Sequence, residues 1–297
     1  MYNVEEYNIS AYSRLFSSRI IQELAKTGKS PLLMELAQET DLLDKLPSES
    51  QVRDIFEYAF RILRLRDNRH EYIYKAVITQ RILLGKHSLR TASMINEFRV
   101  DDCKADVAIF NGTATVYEIK SERDSLSRLQ NQIDAYRKFF ASVYVIAGAN
   151  HIDSILSSVP DDVGVLCLNS DYGIKNIREA TDSPARTESL VIYDSLRTQE
   201  AKNILSRLNI SIPEVPNTEM HSAMRDIFRT LPSAEVHLAM VEVIKKSRDL
   251  LPLSELVEGL PDSLHSVVLS TKIRKCDRNK LIGALNTNIY YAQEWIN

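Results

Sequence analysis

Two short runs rich in β-branched and aromatic residues, Ala105 to Phe110 and Thr113 to Ile119, flank Asn111-Gly112. No other stretch restricts the fold as much. Such runs on either side of Asn-Gly read as a β-hairpin. Side chains alternate along a strand, so Glu118 and Lys120 project from one face while Ile119 points into a packed interior. A two-residue turn would pair Phe110 with Thr113 and set Asp106 opposite Tyr117, leaving Asp106 and Glu118 on opposite faces. A three-residue loop, Phe110-Asn111-Gly112 with Gly112 left-handed, pairs Ile109 with Thr113. Asp106 then opposes Val116 and lies diagonal to Glu118 on the same face, and this loop is the one expected.

Two carboxylates converging at the end of a hairpin make a hard-oxygen site suited to Mg²⁺ or Mn²⁺, with positions left for a phosphate oxygen. A lysine two residues further along sits beside such an ion, where it can hold an attacking water and offset charge on phosphorus-bound oxygens. After the hairpin, Leu126, Leu129, Ile133, Tyr136 and Phe140 recur at helical spacing. Asp124 or Ser125 is the expected cap. Arg128, Gln132 and Tyr136 follow one another a turn apart and share one face of that helix.

The pattern of Asp106, a short spacer and then Glu118-x-Lys120 resembles the catalytic signature of the PD-(D/E)xK nuclease superfamily, with Ala105 where the name-giving proline would stand. Gln132-x-x-x-Tyr136 looks like the accessory motif of its RecB-type members. The resemblance implies an α/β fold, with a restriction-endonuclease-like mixed sheet core and flanking helices. It implies Mg²⁺- (or Mn²⁺-) dependent phosphodiester hydrolysis with DNA as the partner, the ion held by Asp106 and Glu118, and products with 5′-phosphate and 3′-hydroxyl ends. Lys120 would position the water, Gln132 and Tyr136 would steady the site, and Arg128, Arg123 and Lys138 would contact nucleic acid. An auxiliary metal carboxylate is expected from Glu71, at the start of the helix before the sheet, or from Glu97 on the first strand. For each glutamate a surface ion pair, such as Glu71 with Lys75, is the structural alternative. A homodimer is an arrangement the resemblance leaves open. The alternative to catalysis is a nuclease fold that binds nucleic acid or a protein partner without cleaving, since a fold does not guarantee its activity.

Around this centre, residues 11–90 read as helices: one from a Ser10 cap through Leu24 to Gly28, a short one at Ser30-Pro31, one from Ser50 to about Arg66, and one from about His70 to Leu84. Ser93–Val100 is expected as the first core strand. Val143–Ala147, Val163–Leu168 and Ile174–Arg178 follow as strands, with a short helix from about Asn150 between the first two. A polar breaker run from Thr181 suggests a boundary, and helices over 198–208, 222–231, 234–248, 253–260 and 279–285 complete the chain. The expected organisation is a helical region at 1–69, the nuclease core at 70–180 and a second helical region at 181–297.

The net charge of −3 says little about phosphate binding, which depends on local charge. Between Arg53 and Arg90 nine Lys or Arg stand against four acids, a candidate track for a nucleic-acid backbone or, equally, a solvated helix face. The tail around Lys245 to Lys280 is also locally basic. Cys103, Cys167 and Cys276 are too few and too far apart for a disulfide framework or a cysteine zinc site. No apolar run reaches bilayer length and Met1–Ser10 lacks a basic leader pattern, so no membrane partner and a cytoplasmic location are expected.

Overall fold

A computed structural model describes residues 4–296. The chain begins with helices α1 (Val4–Leu15), α2 (Ser18–Thr27), α3 (Pro31–Glu39), α4 (Val52–Leu63) and α5 (Glu71–Ile78). Ser30 and Pro31 start α3 as their types dictate: the serine Oγ accepts the Leu33 N–H at 3.2 Å, and proline supplies a preset φ. The expected single helix from Ser10 to Gly28 is two helices. Ser10 lies inside α1, the chain breaks at Phe16-Ser17, and α2 restarts with Ile20, Ile21 and Leu24 fully buried. Gln51 rather than Ser50 precedes α4, where its N–H donates to Asp54 Oδ2 at 2.7 Å. A π-helical turn, Thr79–Leu83, extends α5.

The strands are β1 (Ser93–Val100), β2 (Cys103–Asn111), β3 (Thr113–Lys120), β4 (Ser142–Ala147), β5 (Gly164–Leu168) and β6 (Ile174–Arg178). They form one mixed sheet whose spatial order is the chain order. β1, β2 and β3 are an antiparallel meander, β3, β4 and β5 run parallel, and β6 returns antiparallel. Parallel neighbours need crossovers, and these contain α6 (Leu129–Arg137) and α7 (Ile152–Ser158). Helices α8 (Ser189–Asp194), α9 (Thr198–Arg207), α10 (Asn217–Thr230) and α11 (Ser233–Ser247) follow. Phe110, Val116, Val143 and Val145 of the sheet, Ile133 and Tyr136 of α6, and Met240 and Ile244 of α11 belong to one buried apolar cluster. Each such side chain contributes about 1.5–3 kcal/mol by leaving water.

The remaining helices are α12 (Ser254–Glu258), α13 (Asp262–Ser270), α14 (Arg278–Leu285) and α15 (Ile289–Ala292). By contacts the described chain divides into two units: residues up to Ile82 with Pro252 onward, and Leu83–Leu251. That grouping differs from the three segments expected from composition. In the first unit the tail is tied to the N-terminal helices by backbone bonds from Val52 N to Thr287 O and from Ile289 N to Ser50 O, both 2.9 Å, and α14 packs on α2. In the second, the polar run after Thr181 is a pinned connection: Thr181 N donates to Asp162 O and Ser183 N to Ala141 O, each at 3.0 Å. Arg186 adds bonds to the Phe140 and Ala141 carbonyls at 2.9 and 3.0 Å. Among the described residues no helix is long and apolar enough to cross a membrane.

Candidate functional site

The hairpin sets the site's geometry. Phe110 pairs with Ala114 and Asn111 with Thr113, leaving Gly112 alone at the apex with φ 72°, a conformation in which a Cβ would be strained. The expected loop, with Ile109 opposite Thr113, is therefore corrected: Ile109 pairs with Thr115. Phe110 is fully buried, so it cannot belong to an exposed turn. Because side chains repeat every two residues, this two-residue shift keeps every residue on its assigned face. Beyond the Val107–Tyr117 pair the same register leads to Asp106 and Glu118 as direct neighbours rather than diagonal ones. Asp106 Oδ2 accepts the Ile119 N–H at 2.7 Å, so the aspartate side chain closes the end of the ladder.

Glu118 and Lys120 are drawn into the sheet–helix layer by α6. Glu118 is 1% exposed and Lys120 6%. Lys120 Nζ donates to Glu118 Oε1 and to Gln132 Oε1, both at 2.9 Å, and Tyr136 Oη donates to Glu118 Oε2 at 2.9 Å. The four side chains form one chain of charge-assisted bonds, Gln132–Lys120–Glu118–Tyr136, as expected of partners on one helix face. Burial pushes the Glu118 carboxyl above the ordinary carboxylate range, opposed by Lys120, Tyr136 and Gln132. Burial and then Glu118 raise the Tyr136 phenol well above its usual value, which keeps it a donor.

Glu97 stands across from Asp106, between the Asn96–Val107 and Phe98–Ala105 pairs. Its φ is 59°, left-handed in mid-strand for a residue with a Cβ. Such a residue stores on the order of 1–3 kcal/mol of strain. Carboxylate oxygens of Glu97 and Asp106 lie within 4.8 Å of each other. Lys104 Nζ pairs with Glu97 Oε2 at 2.5 Å.

Glu71 opens α5 in the first unit and pairs with Lys75 at 2.5 Å. Helix α6 is shorter than its apolar spacing suggested: Arg128 occupies its N-cap, and Asp124 instead accepts from Ser121 N and Oγ, both at 2.7 Å. Arg123 and Arg128 are exposed on the segment that leaves Lys120. Lys138, past the far end of α6, lies 3.9 Å from Asp101. One residue here, Lys104, escaped sequence reasoning. Lys104 is two residues before Asp106 on the same strand face, a spacing that was legible. Cys103 has its Sγ 3.9 Å from the Asn131 carbonyl, and burial, with Glu118 and Asp101 nearby, pushes its thiol up.

Comparison with known proteins locates the chain. A family model described as bacteriophage P4 protein cII matches residues 64–251, a span that contains all of the second unit. Protein cII of Enterobacteria phage P4 is 31% identical over 156 residues, covering 51% of this chain and 56% of that protein. The matched stretch thus spans little more than half the length of that relative. No solved structure matches. The chain belongs to the bacteriophage P4 protein cII family.

Proposed function

We propose that the Leu83–Leu251 unit is a metal-dependent nuclease that hydrolyses phosphodiester bonds in DNA. The observation that carries this reading is the buried Gln132–Lys120–Glu118–Tyr136 chain beside Asp106, with Glu97 opposite. The donor chemistry suits the ion: carboxylate oxygens favour Mg²⁺ or Mn²⁺. A carboxylate offers about four acceptor positions, and the two bonds Glu118 receives from Lys120 and Tyr136 leave it capacity for a cation. Asp106 and Glu118 would hold the ion, with Glu97 auxiliary. When bound, it supplies Lewis-acid polarisation of the phosphate and a more acidic water.

The chain's own residues do the rest. An ammonium has three donors, and Lys120 spends two, on Glu118 and Gln132. The third is directed to the attacking water or a phosphate oxygen, where charge builds as the bond breaks. Gln132 fixes the lysine tip, and Tyr136 holds the Glu118 carboxylate in one orientation. Arg123 and Arg128, exposed beside the site, meet the nucleic-acid backbone. Because the proposed substrate is DNA, the location proposed with it is the cytoplasm.

The test is cleavage of circular, linear and single-stranded DNA with Mg²⁺ or Mn²⁺, alongside Asp106→Ala and Lys120→Ala. Loss of one transition-state donor typically costs about 10²–10³ in rate, and both variants should lose at least that much. Cleavage that survives either change would remove the assignment. One observation favours a second reading: Glu118 and Lys120 neutralise each other within the fold, as a non-catalytic polar core also would. Tight DNA binding without cleavage under any divalent ion would support that binding-only alternative.

A further inference from the structure

We propose that Lys104 is a resident counter-ion for the metal site: it holds Glu97 while the site lacks a cation, and metal binding hands it over to a substrate phosphate. The inference rests on the nuclease reading and assigns a role to a residue outside the Asp106–Glu118–Lys120 signature. Lys104 and Asp106 are two residues apart on β2 and so share a face. Across from them on β1, Glu97 adopts its left-handed φ of 59° without any shift of register, which gives the carboxylate a position within 4.8 Å of an Asp106 oxygen. Two carboxylates this close repel, and the Lys104 ammonium, 2.5 Å from Glu97 Oε2, offsets the repulsion.

The same ammonium stands where a divalent ion must compete for Glu97. The pair is half exposed, with side-chain exposures of 53% for Lys104 and 39% for Glu97. Its strength is therefore that of a surface ion pair, strong enough to hold the carboxylate and weak enough for a divalent cation to displace. Lys120 cannot play this part, because it is buried and bonded to Glu118 and Gln132. Once released from Glu97, the long flexible stem keeps the Lys104 charge close to Asp106, where the phosphate of a bound strand would lie.

Two measurements on the full chain test this. The first is Mn²⁺ binding followed by electron paramagnetic resonance for the wild type, Lys104→Met, Lys138→Met and Asp106→Ala. Lys104→Met should bind Mn²⁺ about two- to fivefold more tightly, and Lys138→Met, whose lysine pairs with Asp101, should not. The second is the salt dependence of oligonucleotide binding, in EDTA and with non-catalytic Ca²⁺. One phosphate contact contributes about 0.9 to the slope for duplex DNA, so Lys104→Met should lower the slope by about that amount in Ca²⁺ and leave it unchanged in EDTA. Unaltered Mn²⁺ affinity, an equal gain in Lys138→Met, or an equal slope change in EDTA would overturn the counter-ion role while leaving the nuclease reading in place. Identical Mn²⁺ titrations of wild type and Asp106→Ala would overturn both.

Discussion

Replacing Tyr136 by Phe removes one oxygen from the best-defined part of the site. The Tyr136 hydroxyl donates to Glu118 Oε2 at 2.9 Å, with Glu118 1% and Tyr136 0% exposed. The ring stays, so its packing on Phe140, at a centroid distance of 6.3 Å, is retained and no apolar cavity opens. What is lost is a hydrogen bond to a charged group in a dry layer, about 1.5–3 kcal/mol. The loss falls in the folded state. A destabilisation of about 2 kcal/mol should lower the melting temperature of a unit this size by roughly 4–8 °C. The chain's single tryptophan, Trp295, lies in the other unit, so fluorescence would miss the change. Hydrogen exchange at the β3 amides and far-UV circular dichroism would register it. A double-mutant cycle with Glu118→Gln should give a coupling of about 1–2 kcal/mol. A loss below about 0.5 kcal/mol, or an additive cycle, would refute the network.

Three further outcomes follow from the same unit. His237 on α11 is fully buried, its Nε2 accepts the Ala114 N–H at 3.3 Å, and burial lowers its pKa to about 4 against the opposing pull of Asp182. The unfolded chain therefore binds a proton that the folded one refuses between about pH 6.5 and 4, so stability present above pH 6.5 falls by roughly 3 kcal/mol across that window. Urea titrations at pH 7 and pH 4 should show the drop, and His237→Gln should shrink it. Arg248 bonds both Glu200 oxygens, at 2.8 and 2.9 Å, and Glu200 is 3% exposed. Glu200 also accepts from Ser247 Oγ and Arg197 N, both at 3.0 Å, so Arg248→Ala should cost about 1.5–3 kcal/mol by removing its charged partner, with much of the loss recovered in the Glu200→Leu, Arg248→Met double variant. Gly112→Ala meets no neighbour within 4 Å at the new Cβ, so its melt should report the left-handed conformation alone, about 1–2 kcal/mol.

The legible parts of the fold are those where one periodicity dominates. α4 fell close to its expected span because Val52, Ile55, Phe56, Ala59, Phe60 and Leu63 are buried at helical spacing, and β1, β6 and α11 took or approached the spans read for them. Helix α13 was missed for the opposite reason. Ser263 to Leu269 are all buried, so no polar face marks a helical period. The break at Phe16-Ser17 was hidden because apolar spacing continues across it, while Phe16 turns to stack on Tyr72 at 4.3 Å. The hairpin register depended on where Phe110 is buried, a tertiary fact that Asn-Gly alone does not encode. Within the site, Gln132, Tyr136 and Lys120 met as their spacing suggested. The Glu97 backbone conformation had no local signal, since left-handed φ at a glutamate is imposed by surroundings and not by propensity.

The central claim is that Asp106 and Glu118 hold one divalent ion beside Lys120. Diffraction from crystals soaked in Mn²⁺, with anomalous data at the manganese edge, tests it most directly. The account predicts a peak bonded to Asp106 and Glu118 oxygens at about 2.0–2.3 Å, with the Lys120 tip alongside, and no peak in Asp106→Ala. A saturating soak that leaves those two carboxylates without an ion, and the Glu118–Lys120 pair undisturbed, would contradict it.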